Sequence, residues 1–233
     1  MKDVTLTTCP GDADNYSRLQ AWIRPRGLFV VVLGPDGTGK SSVIRHLVEA
    51  SSASFAGHQL FHWRPGCLWR RKGSGGNTDP HGQVPHPAWW SVARVFSHLL
   101  DYWVGYVSKI RPALVRSNVV VFDRYFYDLL VDRRRYRYGG PHWLISRLVP
   151  FVPKPDLILI LDASEETVLS RKQELGREEL RRQRNAYRQL ATTLTRAELL
   201  SADQELAEVV NDAYRAVTRA ITQRSSMSRT LSL

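Results

Sequence analysis

Two kinds of hydrophobic pattern alternate along this chain. Short unbroken apolar runs are typical of parallel strands buried on both faces, while apolar residues spaced three or four apart are typical of helices covering a sheet. The two patterns alternate about five times, which predicts an α/β fold with a mostly parallel five-stranded sheet and helices on both faces. The predicted strands are residues 28–33, 58–63, 119–122, 156–161 and 199–200.

Helical spacing predicts the elements between and after these strands. The first helix follows residue 42 and ends near Ala50, and the second covers residues 88–109, where a new segment starts at Arg111-Pro112. Large aromatic residues on this second helix are expected to pack into the core. The remaining predicted helices are residues 141–149, 164–174 and 206–221.

The same patterns divide the chain into one domain and two flanking segments. Residues 1–26 form an N-terminal extension, residues 27–222 form the domain, and the polar residues 223–233 form a flexible tail. A proline- and glycine-rich stretch at residues 64–88 fits no regular element and is predicted to be a long loop. A chain of 233 residues that is 43% hydrophobic can bury one sizeable core.

The charge and the cysteine content indicate which cellular compartment and which classes of binding partner suit the protein. The formal net charge is +11 and is carried mainly by arginine, which is compatible with anionic partners such as phosphate compounds, nucleic acid or a membrane face. Only Cys9 and Cys67 occur, which indicates a reducing compartment. Apolar runs are far shorter than the roughly 20 residues of a membrane-spanning helix, and the first 15 residues lack the apolar stretch of a signal peptide. A cytoplasmic protein without a transmembrane segment is expected.

The first strand leads directly into Gly-Pro-Asp-Gly-Thr-Gly-Lys-Ser-Ser at residues 34–42, and a helix follows. Glycines let backbone N–H groups turn towards a phosphate, and the helix N-terminus favours negative charge. Lys40 is predicted to reach the β- and γ-phosphates of ATP, and the Ser41 hydroxyl to bind Mg²⁺. The predicted ATP-binding residues of this loop are Gly34, Gly37, Thr38, Gly39, Lys40, Ser41 and Ser42.

Asp123 and Arg124 stand at the carboxyl end of the third predicted strand. Ligands bind at this edge of open α/β sheets. Phosphoryl transfer needs a carboxylate near the metal and positive charge on the phosphate groups, and this pair can supply both. The alternative is a strand-end aspartate that caps a turn beside an arginine in a surface ion pair; the phosphate loop upstream favours the functional interpretation.

Four groups of residues occur in a characteristic order along residues 28–222. They are the loop at residues 34–42, Asp123-Arg124-Tyr125, Pro155-Asp156-Leu157, and Leu161-Asp162 followed by Arg171-Lys172. Together these groups resemble the ordered landmarks of the thymidylate kinase family.

The resemblance implies a P-loop kinase fold of three layers, an ATP- and Mg²⁺-dependent phosphotransferase, and a mobile lid at about residues 175–188. By position, Asp36 is implied to touch the acceptor's sugar hydroxyl, Asp123 to hold Mg²⁺ through water, and Arg124 to clamp the acceptor phosphate. Arg171 is implied to face ATP. A homodimer is the assembly that the resemblance implies.

The acceptor side departs from the family pattern. Tyr102 stands where the family usually has an arginine that reads thymine, and the family's Arg-Glu-Pro-Gly is replaced by Trp63-Arg64-Pro65-Gly66. Residues 126–138 replace the segment that usually follows the Asp-Arg-Tyr triplet. The acceptor is therefore predicted not to be thymidine monophosphate. A basic set that would suit a more anionic or larger acceptor, or would simply be solvated, comprises Arg64, Arg70, Arg71, Lys72, Arg133, Arg134, Arg135 and Arg137.

Three functions remain open from the sequence. The first is an ATP-dependent kinase acting on a nucleotide-like acceptor, and the second is a kinase of a sugar, glycan or other anionic acceptor on the same fold. The third is a nucleic-acid-binding ATPase, which the net charge suggests and the acceptor-side triplet argues against. His81 and His86 make a weak metal site, and Trp89 and Trp90 are expected to pack against the core rather than stack on a base.

Overall fold

The computed structural model describes residues 26–52, 54–68, 84–171 and 176–230, with side chains up to residue 224. Its five strands form one sheet in which all neighbours are parallel, in the order β2-β3-β1-β4-β5. This confirms the predicted α/β sheet. The strands are β1 (Leu28–Leu33), β2 (Gly57–His62), β3 (Asn118–Asp123), β4 (Leu157–Asp162) and β5 (Ala197–Ser201).

Helices cover both faces of the sheet. A short π-helix (Tyr106–Ile110) follows the second α-helix, and a 3-10 turn (Val149–Phe151) follows the fifth. The α-helices are α1 (Lys40–Ser51), α2 (Ala88–Gly105), α3 (Arg111–Val115), α4 (Asp128–Val131), α5 (His142–Leu148), α6 (Glu165–Arg171), α7 (Arg177–Thr193) and α8 (Leu206–Thr230).

Each face of the sheet has its own hydrophobic core because successive strand side chains point to opposite faces. Phe29, Val31 and Leu33 pack with residues of α2, α4, α5 and α7 on one side. Leu28, Val30 and Val32 pack with residues of α1, α6 and α8 on the other side. The fully buried β1 thus supports the loop that follows it from both faces.

The second predicted helix does not end before Arg111-Pro112. Helical structure continues from α2 through the π-helix into α3, which ends at Val115. Proline lacks a backbone N–H and its ring crowds the carbonyl of the preceding turn, so it normally ends a helix. The wider π turn immediately before Pro112 accommodates the ring without interrupting the helix.

The prediction that the large aromatic residues of α2 pack into the core is wrong for one face of the helix. Tyr102 is fully buried, but Trp103 is 46% exposed, and Trp89 and Trp90 are exposed as well. Helical spacing identifies a stripe of apolar residues but does not show which of two stripes faces the sheet. We call the exposed side the α2 apolar stripe; it consists of Phe96, Leu100 and Trp103 of α2 together with Val107 of the π-helix that follows.

The last helix extends beyond its predicted end. α8 runs to Thr230 rather than stopping at Ile221, so the first residues of the predicted tail are helical. Among the described residues, no helix is both long and apolar enough to cross a bilayer.

Candidate active site

The loop after β1 has the backbone shape that its glycines predicted. Gly34 has φ +139°, and a Cβ there would lie 2.5 Å from the carbonyl oxygen of Leu161. Gly39 has φ +86° immediately before α1. Both positions require glycine, because L-residues avoid such φ values and the space beside Gly34 is already filled. The loop therefore leads from β1 directly into the N-terminus of α1, a helix end that favours negative charge.

Lys40 is the first residue of α1, and its side chain folds back along the loop. Its Nζ donates to the carbonyl oxygens of Gly34 at 2.9 Å and Pro35 at 2.6 Å, and lies 3.7 Å from a carboxylate oxygen of Asp36. Burial lowers the pKa of Lys40 to about 8, with the charge of Arg124 acting in the same direction and Asp36 opposing it. The Lys40 ammonium is therefore held within the loop by two backbone carbonyl groups, where it can bind phosphate oxygens.

Asp36 joins the loop to the end of β3. Its carboxylate accepts hydrogen bonds from Arg124 on one oxygen and from Arg135 on the other. Burial by itself would raise the pKa of Asp36, but the charges of Arg124, Lys40 and Arg135 outweigh it and hold the pKa well below its usual range. The three cations surround one carboxylate, so this cluster retains excess positive charge.

Arg124 is held in place by its backbone and by a second carboxylate. It adopts φ +70°, and its N–H donates to the Val32 carbonyl oxygen at 3.0 Å. Its guanidinium is 4% exposed and lies 3.5 Å from Asp128, which also accepts a 2.6 Å hydrogen bond from the Tyr187 hydroxyl. A non-glycine residue in this left-handed region is uncommon and persists only where the surroundings fix it. The guanidinium is therefore preorganised next to Asp36.

Asp128 and Arg135 are functional candidates that the sequence did not assign individually. Asp128 is fully buried and lies four residues after Arg124 on a helical turn that was not predicted. Burial raises the pKa of Asp128 even though Arg124 and a hydrogen bond from Tyr187 act in the opposite direction. Arg135 belongs to the predicted basic set on the acceptor side, and its contact with Asp36 separates it from its neighbours.

Asp123 and Ser41 are the residues predicted to hold Mg²⁺, and that role stays a prediction. Asp123 Oδ1 is buried without a hydrogen-bond partner, and its Oδ2 lies 3.4 Å from Nδ1 of His62. Burial alone would raise the pKa of Asp123, but a hydrogen bond from His62 and the charge of Lys40 lower it, so the carboxylate is ionised. The Ser41 side chain is exposed at the start of α1. An ionised carboxylate with an unpaired oxygen, and a serine hydroxyl, are ligand types that suit a hard cation.

The structure gives Arg171 a position near the phosphate loop. A Cβ at Gly39 would lie 4.0 Å from Nη1 of Arg171. The predicted lid begins in residues outside the described part of the chain and continues into α7. Two arginines of that helix, Arg184 and Arg188, bind Asp162 at the end of β4. Whether residues 175–188 act as a lid stays a prediction.

The segment after β2 is fixed to α2. Gly66, Cys67 and Leu68 donate their backbone N–H groups to the Asp101 carboxylate at 2.7 to 2.9 Å. The Tyr102 hydroxyl donates to the Trp63 carbonyl oxygen. Tyr102, for which the family resemblance implies the place of a thymine-reading arginine, is therefore a buried anchor of this segment.

The predicted strand 58–63 is displaced by one residue. β2 ends at His62, and Trp63 leaves the sheet with φ +63°. Its ring then stacks on Tyr136 at a centroid distance of 4.5 Å and meets His98 edge-on at 4.8 Å. Trp63 thus joins the end of β2 to α2 and to the segment after α4, a position that its place in an alternating strand would not have indicated.

The basic residues predicted on the acceptor side do not share one environment. Arg133 and Arg134 are exposed, whereas Arg64, Arg135 and Arg137 are half-buried. Arg70, Arg71, Lys72 and His81 lie outside the described residues. Within residues 26–52, 54–68, 84–171 and 176–224, no group of three His, Cys, Asp or Glu side chains could hold a metal ion.

Known proteins resemble this chain over most of its length. No family model matches the sequence. A thymidylate kinase of Xanthomonas oryzae pv. oryzae (strain PXO99A) is 24% identical over 212 residues, covering 88% of this chain and 88% of that protein. A thymidylate kinase of Limosilactobacillus fermentum (strain NBRC 3956 / LMG 18251) is 28% identical over 220 residues, covering 82% of this chain and 94% of that protein.

One solved structure shares the fold. The crystal structure of thymidylate kinase from Ehrlichia chaffeensis matches with a TM-score of 0.58 and 19% sequence identity. The match covers 83% of this chain and 100% of that one. It supports the three-layer arrangement of a parallel sheet between helices.

Proposed function

We propose that this chain, which resembles thymidylate kinases over most of its length, transfers the γ-phosphoryl group of ATP to a nucleotide-like acceptor. The chain is a phosphotransferase of the nucleoside monophosphate kinase type. The observation that carries the assignment is the contact of Asp36, on the phosphate loop, with Arg124 at the end of β3. This contact joins the phosphate loop, which would bind the donor ATP, to a cation that would bind the acceptor. A protein that only binds ATP does not need such a connection.

In this proposal one set of residues binds ATP, the phosphoryl donor, and another set binds the acceptor. Lys40 and the loop amides would neutralise charge on the β- and γ-phosphates, and Arg171 would contact ATP from α6. Ser41 and Asp123 would hold Mg²⁺, which supplies further charge neutralisation on the transferring phosphate. Arg124 would clamp the acceptor anion, and Asp36 would orient the acceptor. The bond from the γ-phosphorus to the β–γ bridging oxygen breaks, and a bond to an acceptor oxygen forms, giving ADP and the phosphorylated acceptor.

A second candidate keeps this chemistry with an anionic acceptor other than thymidylate, such as a phosphorylated sugar. The observation favouring it is the environment of Tyr102. Its side chain is fully buried, and its hydroxyl donates a hydrogen bond to the Trp63 carbonyl oxygen. A buried tyrosine bonded in this way cannot read a pyrimidine edge without leaving the Trp63 carbonyl unpaired.

ADP release with a panel of acceptors tests the function and separates the candidates. Thymidylate, the other nucleoside monophosphates and sugar phosphates would be compared at equal concentration with ATP and Mg²⁺. We expect stimulation by at least one acceptor and weak or no stimulation by thymidylate, because the thymine-reading arginine is replaced by Tyr102. ADP release that responds only to DNA or RNA would contradict kinase activity and support a nucleic-acid-dependent ATPase.

A second copy of this chain is the partner we propose for the α2 apolar stripe. Leu100 and Val107 at the stripe's centre and end are 55% and 56% exposed. A contiguous exposed apolar surface of this kind marks an interface. Homodimerisation is also the assembly that the family resemblance implies.

Sedimentation of the wild type and of Leu100→Glu tests this interface. We expect the wild type to be a dimer at micromolar concentration and Leu100→Glu to shift it to monomer, because a charge at the stripe's centre stays solvated only in the free subunit. Ile221→Glu, at an exposed apolar residue of α8, should leave the dimer intact. A monomeric wild type would contradict the interface.

A further inference from the structure

The carboxylate of Asp128 connects Arg124 to helix α7. Its Oδ2 lies 3.5 Å from Nη1 of Arg124, and its Oδ1 accepts a 2.6 Å hydrogen bond from the hydroxyl of Tyr187. Arg124 and Asp128 belong to the segment directly after β3, whereas Tyr187 stands 59 positions after Asp128, on α7. The surroundings of the Arg124 guanidinium therefore depend on a helix that is distant in the sequence.

The contact with Asp128 fixes the orientation of the Arg124 guanidinium. This group is a planar fork whose N–H donors point in fixed directions. Its Nη2 donates to Asp36, and its Nη1 faces Asp128. A contact through Nη2 alone would let the plane pivot about Asp36, whereas contacts on two nitrogens hold it. Burial would lower the pKa of Arg124, and Asp128 is the largest of the charges that instead raise it well above its ordinary value.

Tyr187 in turn holds the Asp128 carboxylate. Within the described residues, the Tyr187 hydroxyl is the only hydrogen-bond donor to Oδ1 of Asp128, while Oδ2 has Arg124 and, at 3.3 Å, the hydroxyl of Tyr136. Asp128 and Tyr187 are 0% and 1% exposed, so bulk water does not reach Oδ1. Loss of the Tyr187 hydroxyl would leave this oxygen buried without a partner, which is costly for a carboxylate.

Two neighbours of Tyr187 fix α7 against the segment that carries Asp128. Nη2 of Arg182 donates to the carbonyl oxygen of Val131 at 2.9 Å, and Nε2 of Gln183 donates to the carboxylate of Asp132 at 3.2 Å. Asp132 and Gln183 are both buried. The position of the Tyr187 hydroxyl is therefore set by the packing of the whole helix and not by one side chain.

Helix α7 also contacts the strand beside the phosphate loop. Arg184 and Arg188 bind Asp162 at the end of β4, and β4 pairs with β1, the strand from which the loop leads. One helix thus contacts both a strand end next to the loop and the carboxylate that orients Arg124.

We propose that Tyr187 is a positioning residue of the acceptor site. Its hydroxyl fixes the Asp128 carboxylate, this carboxylate fixes the plane of the Arg124 guanidinium, and the guanidinium binds the acceptor anion. Helix α7 thereby sets the affinity for the acceptor. The last of these contacts rests on the proposed function, but the ordering of Arg124 by Tyr187 does not.

NMR relaxation of the Arg124 Nε–H measures this ordering in the full chain without an acceptor. The signal is identified by its loss in Arg124→Lys. We expect an order parameter near that of rigid backbone, about 0.85, in the wild type and below about 0.6 in Tyr187→Phe. Phenylalanine keeps the ring that packs in the core, so the fold is retained. An equally ordered Arg124 in Tyr187→Phe would overturn the proposal.

Tyr214→Phe is the matched control for this substitution. It removes a tyrosine hydroxyl that donates to the His46 carbonyl oxygen at 2.9 Å, and the Tyr214 ring packs against the core on the other face of the sheet. The variant loses a hydrogen bond as Tyr187→Phe does, but it should leave Arg124 as ordered as in the wild type.

Asp128→Asn tests the same contacts with Tyr187 intact. Asparagine has nearly the same volume, and its amide oxygen accepts from Tyr187, but it carries no charge for Arg124. We expect the order parameter of Arg124 to fall as it does in Tyr187→Phe. An Arg124 that stays ordered in Asp128→Asn would overturn the proposal, because Tyr187 would then have no route to it.

Kinetics distinguish positioning from a merely structural role. With the acceptor that most stimulates ADP release, Tyr187→Phe should raise KM for the acceptor by about tenfold, as expected for one hydrogen bond to a charged group, with kcat and KM for ATP unchanged. Tyr214→Phe should leave all three unchanged. In the Asp128→Asn background, Tyr187→Phe should change KM for the acceptor by less than about twofold, because Tyr187 acts through Asp128.

The outcomes separate this inference from the proposed function. An unchanged KM in Tyr187→Phe, or a tenfold rise in both backgrounds, would overturn the positioning role and leave the kinase assignment standing. If the wild type transfers phosphoryl groups to no acceptor, the proposed function fails, and the order of Arg124 in Tyr187→Phe alone decides whether Tyr187 positions it.

Discussion

Replacing Lys40 with alanine is expected to lower kcat for phosphoryl transfer by at least about 10²- to 10³-fold, the loss typical of removing one preorganised donor from a developing negative charge. Lys40 is the buried cation of the loop, and its Nζ is surrounded by the carbonyl oxygens of Gly34 and Pro35. The measurement is steady-state phosphoryl transfer, with thermal unfolding recorded for the same preparation.

The fold should survive this change. Asp36 keeps Arg124 and Arg135 as partners without Lys40, so no buried carboxylate is left unpaired. Arg45→Ala, at an exposed position of the same helix, is the matched control and should transfer at the wild-type rate. Transfer at the wild-type rate by Lys40→Ala would refute the assignment of the loop.

Replacing Arg124 with lysine is expected to reduce kcat/KM for the acceptor by about 30-fold, equivalent to about 2 kcal/mol, at the lower end of what disrupting a buried charged pair costs. Lysine keeps the charge but lacks the planar fork that contacts Asp36 and Asp128 together. The affinity for ATP should change little. Initial rates at varied acceptor concentration and a separate ATP-binding titration measure the two effects.

Arg116→Lys is the control for this substitution because Arg116 is exposed at the end of α3. It should leave both parameters unchanged. If Arg124→Lys weakened ATP binding as strongly as it reduced kcat/KM for the acceptor, Arg124 would belong to the donor site instead.

The donor half of the cleft could be predicted from the sequence because its parts are local. A glycine-rich loop between a buried strand and a helix requires left-handed backbone at Gly37 and Gly39, and the structure has φ +89° and +86° there. Asp123 and Arg124 were predictable for a related reason: they directly follow a strand, and parallel strand ends share one edge.

The acceptor half could not be predicted in the same way, because its contacts join residues far apart in the chain. Arg135 reaches Asp36 across 99 positions, and nothing in the run of arginines at residues 133–135 distinguishes it from its neighbours. Asp128 becomes a buried partner of Arg124 only through a helical turn too short to leave a periodic pattern. The contacts of Trp63 with Tyr136 and His98 likewise depend on β2 ending at His62. A strand that ended one residue later would include Trp63.

Helix α2 illustrates why an apolar pattern alone does not fix burial. Its sequence carries apolar residues on more than one side, so the spacing predicts a helix but not the face that meets the sheet. Asp101 and Tyr102 are buried because they fix the segment after β2, while Trp103, the next residue, is half-exposed. Tertiary contacts, rather than hydrophobicity, decide this orientation.

The fate of a γ-labelled phosphoryl group tests directly whether this chain transfers phosphoryl groups to an acceptor. Wild type and Lys40→Ala would be incubated with γ-labelled ATP, Mg²⁺ and the acceptor panel, and the products separated. We expect the wild type to move the label onto an organic acceptor and Lys40→Ala to leave it on ATP. Label recovered from the wild type only as inorganic phosphate, with or without added nucleic acid, would contradict it.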